Sequence, residues 1–241
     1  MTALSTAVAR ATRATPKARS ATASARLVWL VLAAAALVAC GGGGGAHADS
    51  PQQRNDPAAA TALEHRFELS ARGTWIVHSD FRRRLRDGRT LRDDVSELNR
   101  PPDTHLNAAL GSLAGTLRGT GVDCASVGGK PTCSPDAAVP APDAGATAIR
   151  TVTDPRLGWY TVRRNGSRTV AGRHARCFRV ASTPKAGRLD FGLRTDLCFL
   201  ADGIPVRKVV VRRSGTDITT ATTVLETVTD ADIDAFVAPF R

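Results

Sequence analysis

From residue 63 onward the chain breaks into short apolar runs that alternate with polar positions and stop at turn-forming pairs, the period of half-buried strands. In "HRFELSARGTWIVHSDF" the apolar residues Phe67 and Leu69, then Trp75 and Val77, share one face with Ser79. Arg66, Glu68, Ser70 and His78 take the other face, which predicts one long strand with Gly73 as a bulge or kink. "RRRLRDGRTLRDDVSEL" predicts a hairpin turning at Asp87-Gly88. "RPPD" at 100–103 interrupts the sheet, because tandem prolines donate no ladder hydrogen bonds. The Ala-, Gly- and Leu-rich stretch 106–117 reads as either helix or strand.

Residues 134–149 carry no strand signal and lead as a loop into a short helix over "GATAIRTVTD". A meander of five antiparallel strands then follows residue 157. Its turns are expected at Asn165-Gly166, at 185–187, at Asp202-Gly203 and at Ser214-Gly215. In the closing "TDADIDAFV", Thr229 caps a helix start with Asp230 and Asp232 near its positive end. A lone sheet leaves its apolar face wet, and the only helical material to cover it is near 58–65, at 144–154 and at the C-terminus. The expected fold class is therefore α+β, mainly antiparallel β, with a strongly curved sheet whose concave face is covered by a few small helices. Trp75, Val77, Tyr160, Val162, Phe178, Val180, Phe191 and Phe199 are the candidates to line that face. Such a set is ordinary core unless the helices are too small to fill the space, in which case it walls a ligand cavity. With only 5% aromatic residues, that cavity suits acyl chains better than planar cofactors, and no cofactor is implied.

The front of the chain has a different pattern. Residues 1–26 are basic and polar, and "LVWLVLAAAALVA" at 27–39 is uncharged and too short for the roughly 20 residues of a membrane span. Basic region, apolar region and small residues in that order make a secretory leader. The tetrapeptide Leu37-Val38-Ala39-Cys40 resembles the lipobox of bacterial lipoproteins. That resemblance implies cleavage before Cys40, a diacylglyceryl group on its thiol, and tethering to a bacterial membrane on the extracytoplasmic face. One acyl chain anchors weakly and several anchor stably, at about 0.8 kcal/mol per buried methylene. The glycines from Gly41 and the proline-containing "AHADSPQQRNDPAAA" read as a flexible tether. The expected organisation is a leader at 1–39, an anchored tether at 40–62 and a folded domain at 63–241.

With Cys40 set aside, four cysteines remain in a chain bound for an oxidising compartment. Three pairings exist in principle, and proximity favours Cys124–Cys133 and Cys177–Cys198. Neither pair has zinc-knuckle spacing, and His174 three residues before Cys177 is the one suggestive metal placement, so no metal is expected. No GxSxG, P-loop or HExxH is present, which leaves no catalytic residue to nominate. The histidines at 65, 78, 105 and 174 read as surface or strand residues, and Asp230, Asp232 and Asp234 read as helix capping rather than a calcium loop. Net charge is +11, but five of those charges lie in residues 1–39 and the rest are diffuse, so no nucleic-acid partner is implied. The densest basic run, Arg82, Arg83, Arg84 and Arg86, reads as a solvated hairpin before it reads as a contact for anionic lipid head groups.

"YTVRRNGSRTVAGRHARCFRV", "CFLADGIPVRKVVV" and "TTVLETVTDADIDAF", preceded by "GTWIVHSDF" and "RPPD", resemble the LolA-like half-barrel lipoproteins in their order. The resemblance runs from about Leu63 to Val237 and implies a half-barrel sheet. Members include carriers of lipoproteins and envelope lipids and the sensor domains of regulators acting on anti-sigma factors. Two non-enzymatic functions follow as expectations: binding or shuttling a lipid or other hydrophobic ligand, or contacting an envelope protein partner through a domain with a filled core.

Overall fold

The computed structural model describes residues 55–109, 111–127, 130–134, 144–186 and 191–241. The expected leader, Cys40 and the tether as far as residue 54 lie outside the described residues.

The first element is a helix, α1 (Pro57–Arg72). Asp56 caps it by accepting from the Ala59 N–H, and proline sits in its first turn where no intrahelical donor is needed. It stops at Gly73, whose N–H donates to the Leu69 carbonyl. The strand expected over 66–70 is thus replaced by helix. Ala59, Leu63 and Phe67 recur every four residues, and this period, started by the Asp56-Pro57 cap, outweighs the local alternation of Phe67 and Leu69. Residues 57–62, read as the end of the tether, belong to α1, where Ala59 and Leu63 are fully buried.

Eleven strands follow among the described residues: β1 (Trp75–Leu85), β2 (Thr90–Arg100), β3 (Thr104–Ala109), β4 (Ser112–Leu117), β5 (Thr120–Val127), β6 (Lys130–Cys133), β7 (Tyr160–Val170), β8 (Arg173–Ser182), β9 (Arg194–Phe199), β10 (Pro205–Arg212) and β11 (Gly215–Leu225). Two more helices, α2 (Ala144–Thr153) and α3 (Asp230–Val237), complete the fold with a closing 3₁₀ turn at Ala238–Phe240. All strands join one curved antiparallel sheet in the order β6-β5-β4-β3-β2-β1-β11-β10-β9-β8-β7. The chain starts at the centre with β1 and steps outward to β6. It then crosses by way of α2 to β7 at the far edge and steps back until β11 closes against β1.

The ambiguous stretch 106–117 is the β3–β4 hairpin, and the Pro101-Pro102 peptide is cis in the turn between β2 and β3. Asn165-Gly166 is not a hairpin turn. β7 runs through it with a shift in register between Arg164 and Ser167, and the chain turns at Ala171-Gly172, both at positive φ. Three positions in this stretch adopt left-handed backbone: Ala171 and Gly172 at the turn, and Gly166 at φ 73°, which supplies the bulge. Buried Val162 facing Val180, and Val170 at the strand end, keep the pairing in phase across it.

Helices cover both faces of the sheet. Ala59, Ala60 and Leu63 of α1, with Ile149 and Val152 of α2, pack on Tyr160, Val162, Phe178, Val180 and Phe199. Ile233 and Val237 of α3 pack on Ile76, Leu98, Leu106 and Leu113, which point the other way from their strand neighbours. The α3 start is a full capping box: Asp232 N–H donates to the Thr229 hydroxyl while the Thr229 N–H donates to the Asp232 carboxylate. Both favoured cysteine pairs are disulfides between directly opposed residues, Cys124–Cys133 at 2.09 Å and Cys177–Cys198 at 2.10 Å. The second sits in a further apolar cluster with Val170, Ala175, Leu200 and Ile204.

Candidate ligand cavity

α1 and α2 fill the space over β7–β9 but do not reach across the rest of the sheet. What they leave is a cavity of about 720 Å³ over the central strands. On β1 the residues that face α3 are excluded from it, and Trp75, Val77 and Ser79 line it. The register sets Val77 opposite Glu97 and Trp75 opposite Asn99, which brings those two β2 residues onto the same wall. His105 and Asn107 of β3 follow, opposite Asn99 and Glu97. The other side is built by Leu197 and Phe199 of β9, Val206 and Lys208 of β10, and the C-terminal turn of α1.

α1 is held in place by polar contacts at its end. Arg66 donates to the carbonyls of Leu200 and Ala201, and Gly203 lies so close that an added Cβ would come within 2.5 Å of Leu69 Cβ. The indole N–H of Trp75 donates to the Ser70 carbonyl at 3.1 Å. Asn99, buried on β2, donates its side-chain N–H groups to the carbonyls of Ser70 at 3.0 Å and Gly73 at 2.6 Å. These are carbonyls that a helix end leaves unpaired, so Asn99 completes α1 while fastening it to the sheet. With its N–H groups so used, Asn99 offers Oδ1, and His105 Nδ1 donates to it at 3.1 Å.

Glu97 is the electrostatic oddity of the wall. Burial pushes its carboxyl above the usual range, and the opposing pull of His105 and Lys208 does not cancel this. The ion pairs act as braces away from the cavity. Arg83 grips Asp217 at 2.7 and 3.0 Å and holds that carboxyl below its ordinary range, and Arg179 grips Asp196 across β8–β9 at 2.6 and 3.1 Å.

The eight expected concave residues separate into two groups. Trp75, Val77 and Phe199 line the cavity. Tyr160, Val162, Phe178 and Val180 are buried beneath α1 and α2, and Phe191 packs against Tyr160 with ring centroids 6.1 Å apart. Of the basic run, Arg83 is tied to Asp217, Arg82 to Asp80, and Arg84 and Arg86 are exposed. Asp230 pairs with Arg100, and Asp234 with Arg118 and Arg241. His174 is exposed on β8, on the opposite face from buried Ala175 and Cys177, and among the described residues no group of three or more His, Cys, Asp or Glu is arranged to hold a metal ion. No helix among them is long and apolar enough to cross a membrane. Of the polar members, Glu97, Asn99 and Lys208 carry no motif in the sequence, and His105 reads there as a surface or strand residue. Their one signal is the alternation Glu97-Leu98-Asn99, in which the apolar residue faces α3 and so sends its polar neighbours toward the cavity.

No protein-family model and no curated protein matches the chain. Among solved structures, it is similar to MucB, with 19% identity over 73% of this chain and 62% of that one at a TM-score of 0.43. The chain thus spans about three fifths of the length of MucB. The Mycobacterium tuberculosis lipoprotein LppX is similar at 15% identity, covering 73% of this chain and 99% of that one, with a TM-score of 0.42. LprF from Mycobacterium bovis is similar at 14% identity, covering 73% and 96%, with a TM-score of 0.40.

Proposed function

We propose that the chain is a lipid-anchored envelope lipoprotein, not an enzyme, whose domain binds or shuttles a lipid or another hydrophobic ligand. The observation that carries this is the cavity of about 720 Å³, which the helices leave open beside Trp75, Val77, Phe199 and Val206. A volume of this order lies within the range of about 300–1,000 Å³ typical of small-molecule sites, and the aliphatic and aromatic wall suits an acyl chain. Leu37-Val38-Ala39-Cys40 supports anchoring through Cys40 on the extracytoplasmic face of a bacterial membrane. The tether then runs from Cys40 to about residue 55, where the cap of α1 begins.

Two experiments test the two halves. Cys40→Ala is expected to release the chain from the membrane fraction; retention of the variant would overturn the anchor. Dansyl-undecanoic acid added to the purified full-length chain is expected to gain fluorescence, and Val77→Trp, which pushes an indole into the cavity, is expected to lose most of that gain. Equal fluorescence with the two proteins would place the dye elsewhere and overturn the cavity as the binding site.

A further inference from the structure

One stretch of the cavity wall does not suit an acyl chain. Leu98 of β2 is fully buried on the α3 side, so Glu97 and Asn99 on either side of it are turned to the cavity. Asn99 is spent on α1 and on His105. Glu97 has no such employment: its carboxylate makes no hydrogen bond or ion pair with any described residue, and it is half-buried on a part of the wall where His105, Asn107 and Lys208 are exposed. A half-buried carboxylate has about four acceptor positions that the protein leaves to solvent, and a ligand that brings donors can fill them.

The neighbours of Glu97 narrow the kind of donor. His105 lies diagonally across from it on β3, and its Nδ1–H is committed to the Asn99 oxygen, which leaves Nε2 as the ring nitrogen without that partner. Asn107, directly opposite Glu97, offers both a donor and an acceptor. Lys208 offers a donor from β10. Donors and acceptors thus stand side by side along one strip of wall. Hydroxyl groups match such a strip, since each donates one hydrogen bond and accepts others. A carboxylate head would meet Glu97 charge against charge, and an ammonium head would meet the like charge of Lys208 on the same wall.

We infer that the cavity selects amphiphiles whose head group carries hydroxyls, as in a glycerol or sugar head, with Glu97 accepting from those hydroxyls while the tail lies along Val77, Phe199 and Val206. This rests on the reading of the cavity as a hydrophobic-ligand site. It adds a chemical class of head group and a residue that reads it.

Three probes with one twelve-carbon tail separate the alternatives: glycerol monolaurate, laurate and dodecylamine. Each is titrated by calorimetry into the full-length chain, into Glu97→Leu and into Glu97→Gln, with circular dichroism to confirm that the variants are folded. The wild type is expected to bind the glycerol ester about tenfold more tightly than laurate, the order of one hydrogen bond to a charged acceptor. Both variants are expected to reduce that ratio by about tenfold, Glu97→Leu by weakening the ester and Glu97→Gln largely by strengthening laurate, whose charge no longer meets another. Equal binding of the three probes by the wild type, or preference for laurate or dodecylamine, overturns the head-group inference and leaves the hydrophobic-ligand reading standing. A glycerol preference that survives both substitutions overturns the role of Glu97. Absence of binding by all three overturns the underlying reading, and the inference with it.

Discussion

Asn99→Ala is the most informative single change, because one buried side chain ties the end of α1 to the sheet and holds His105 in one orientation. The substitution removes the hydrogen bonds to the Ser70 and Gly73 carbonyls, at 3.0 and 2.6 Å, and the one from His105 Nδ1 at 3.1 Å. Each is worth about 1 kcal/mol net, and stranding the partners costs more wherever water does not reach them. The cavity lies against this junction and can admit water to some of the freed groups, so the expected loss is about 2–3 kcal/mol rather than the larger sum for a sealed site. For a domain of this size that is a fall in Tm of roughly 4–12 °C, since each kcal/mol shifts it by about 2–4 °C. Urea and thermal unfolding of wild type and variant measure it directly. Asn99→Asp is the companion: it keeps the oxygen facing His105 but loses both N–H donors and sets a negative charge against the α1 carbonyls, so its loss should be at least as large. A loss below about 0.5 kcal/mol for Asn99→Ala, within the range of ordinary surface changes, would refute the idea that this residue fastens the helix.

Three further changes probe other joints. Gly203→Ala sets a Cβ 2.5 Å from Leu69 Cβ and 2.8 Å from the Arg66 carbonyl at a φ of +88°, and should cost at least about 2 kcal/mol in urea unfolding. Ala171→Gly runs the other way: Ala171 already holds φ +48° at the β7–β8 turn, and the glycine should stabilise by about 0.5–1 kcal/mol. Glu97→Gln should change the pH dependence of stability. Burial raises the Glu97 carboxyl above its unfolded value against the pull of His105 and Lys208, so the native state holds that proton more tightly and stability falls as pH rises between the two values. The variant should therefore gain on the wild type as pH rises through that window, and parallel stability curves would contradict it.

The strand-and-turn pattern was legible in sequence where period and turn chemistry agreed: the Asp87-Gly88 hairpin, the disulfide-linked pairs β5–β6 and β8–β9, and the Thr229 cap. It misled where two signals competed. Phe67 and Leu69 alternate like a strand, yet the helical spacing back to Ala59 and the cap at Asp56 decide the segment. Asn165-Gly166 has hairpin chemistry, but left-handed backbone also serves a bulge, and only the buried pairing of β7 with β8 distinguishes the two uses. The apolar part of the cavity is half legible: Trp75, Val77 and Phe199 share their pattern with residues that α1 and α2 cover. Which of the eight would be covered depends on how far two helices reach across a curved sheet, and no local pattern encodes that. The polar strip was not legible, because nothing in "SELN" tells which face of its strand a helix covers until Leu98 is seen facing α3.

The central claim is that the domain carries a hydrophobic ligand in the space beside α1. Native and denaturing mass spectrometry of the full-length chain, purified from membranes, test it together, because a covalent anchor on Cys40 survives denaturation and a cavity ligand does not. The account predicts a native mass greater than the denatured mass by one lipid-sized ligand, with the difference greatly reduced in Val77→Trp. Identical native and denatured masses for the wild-type chain would contradict it.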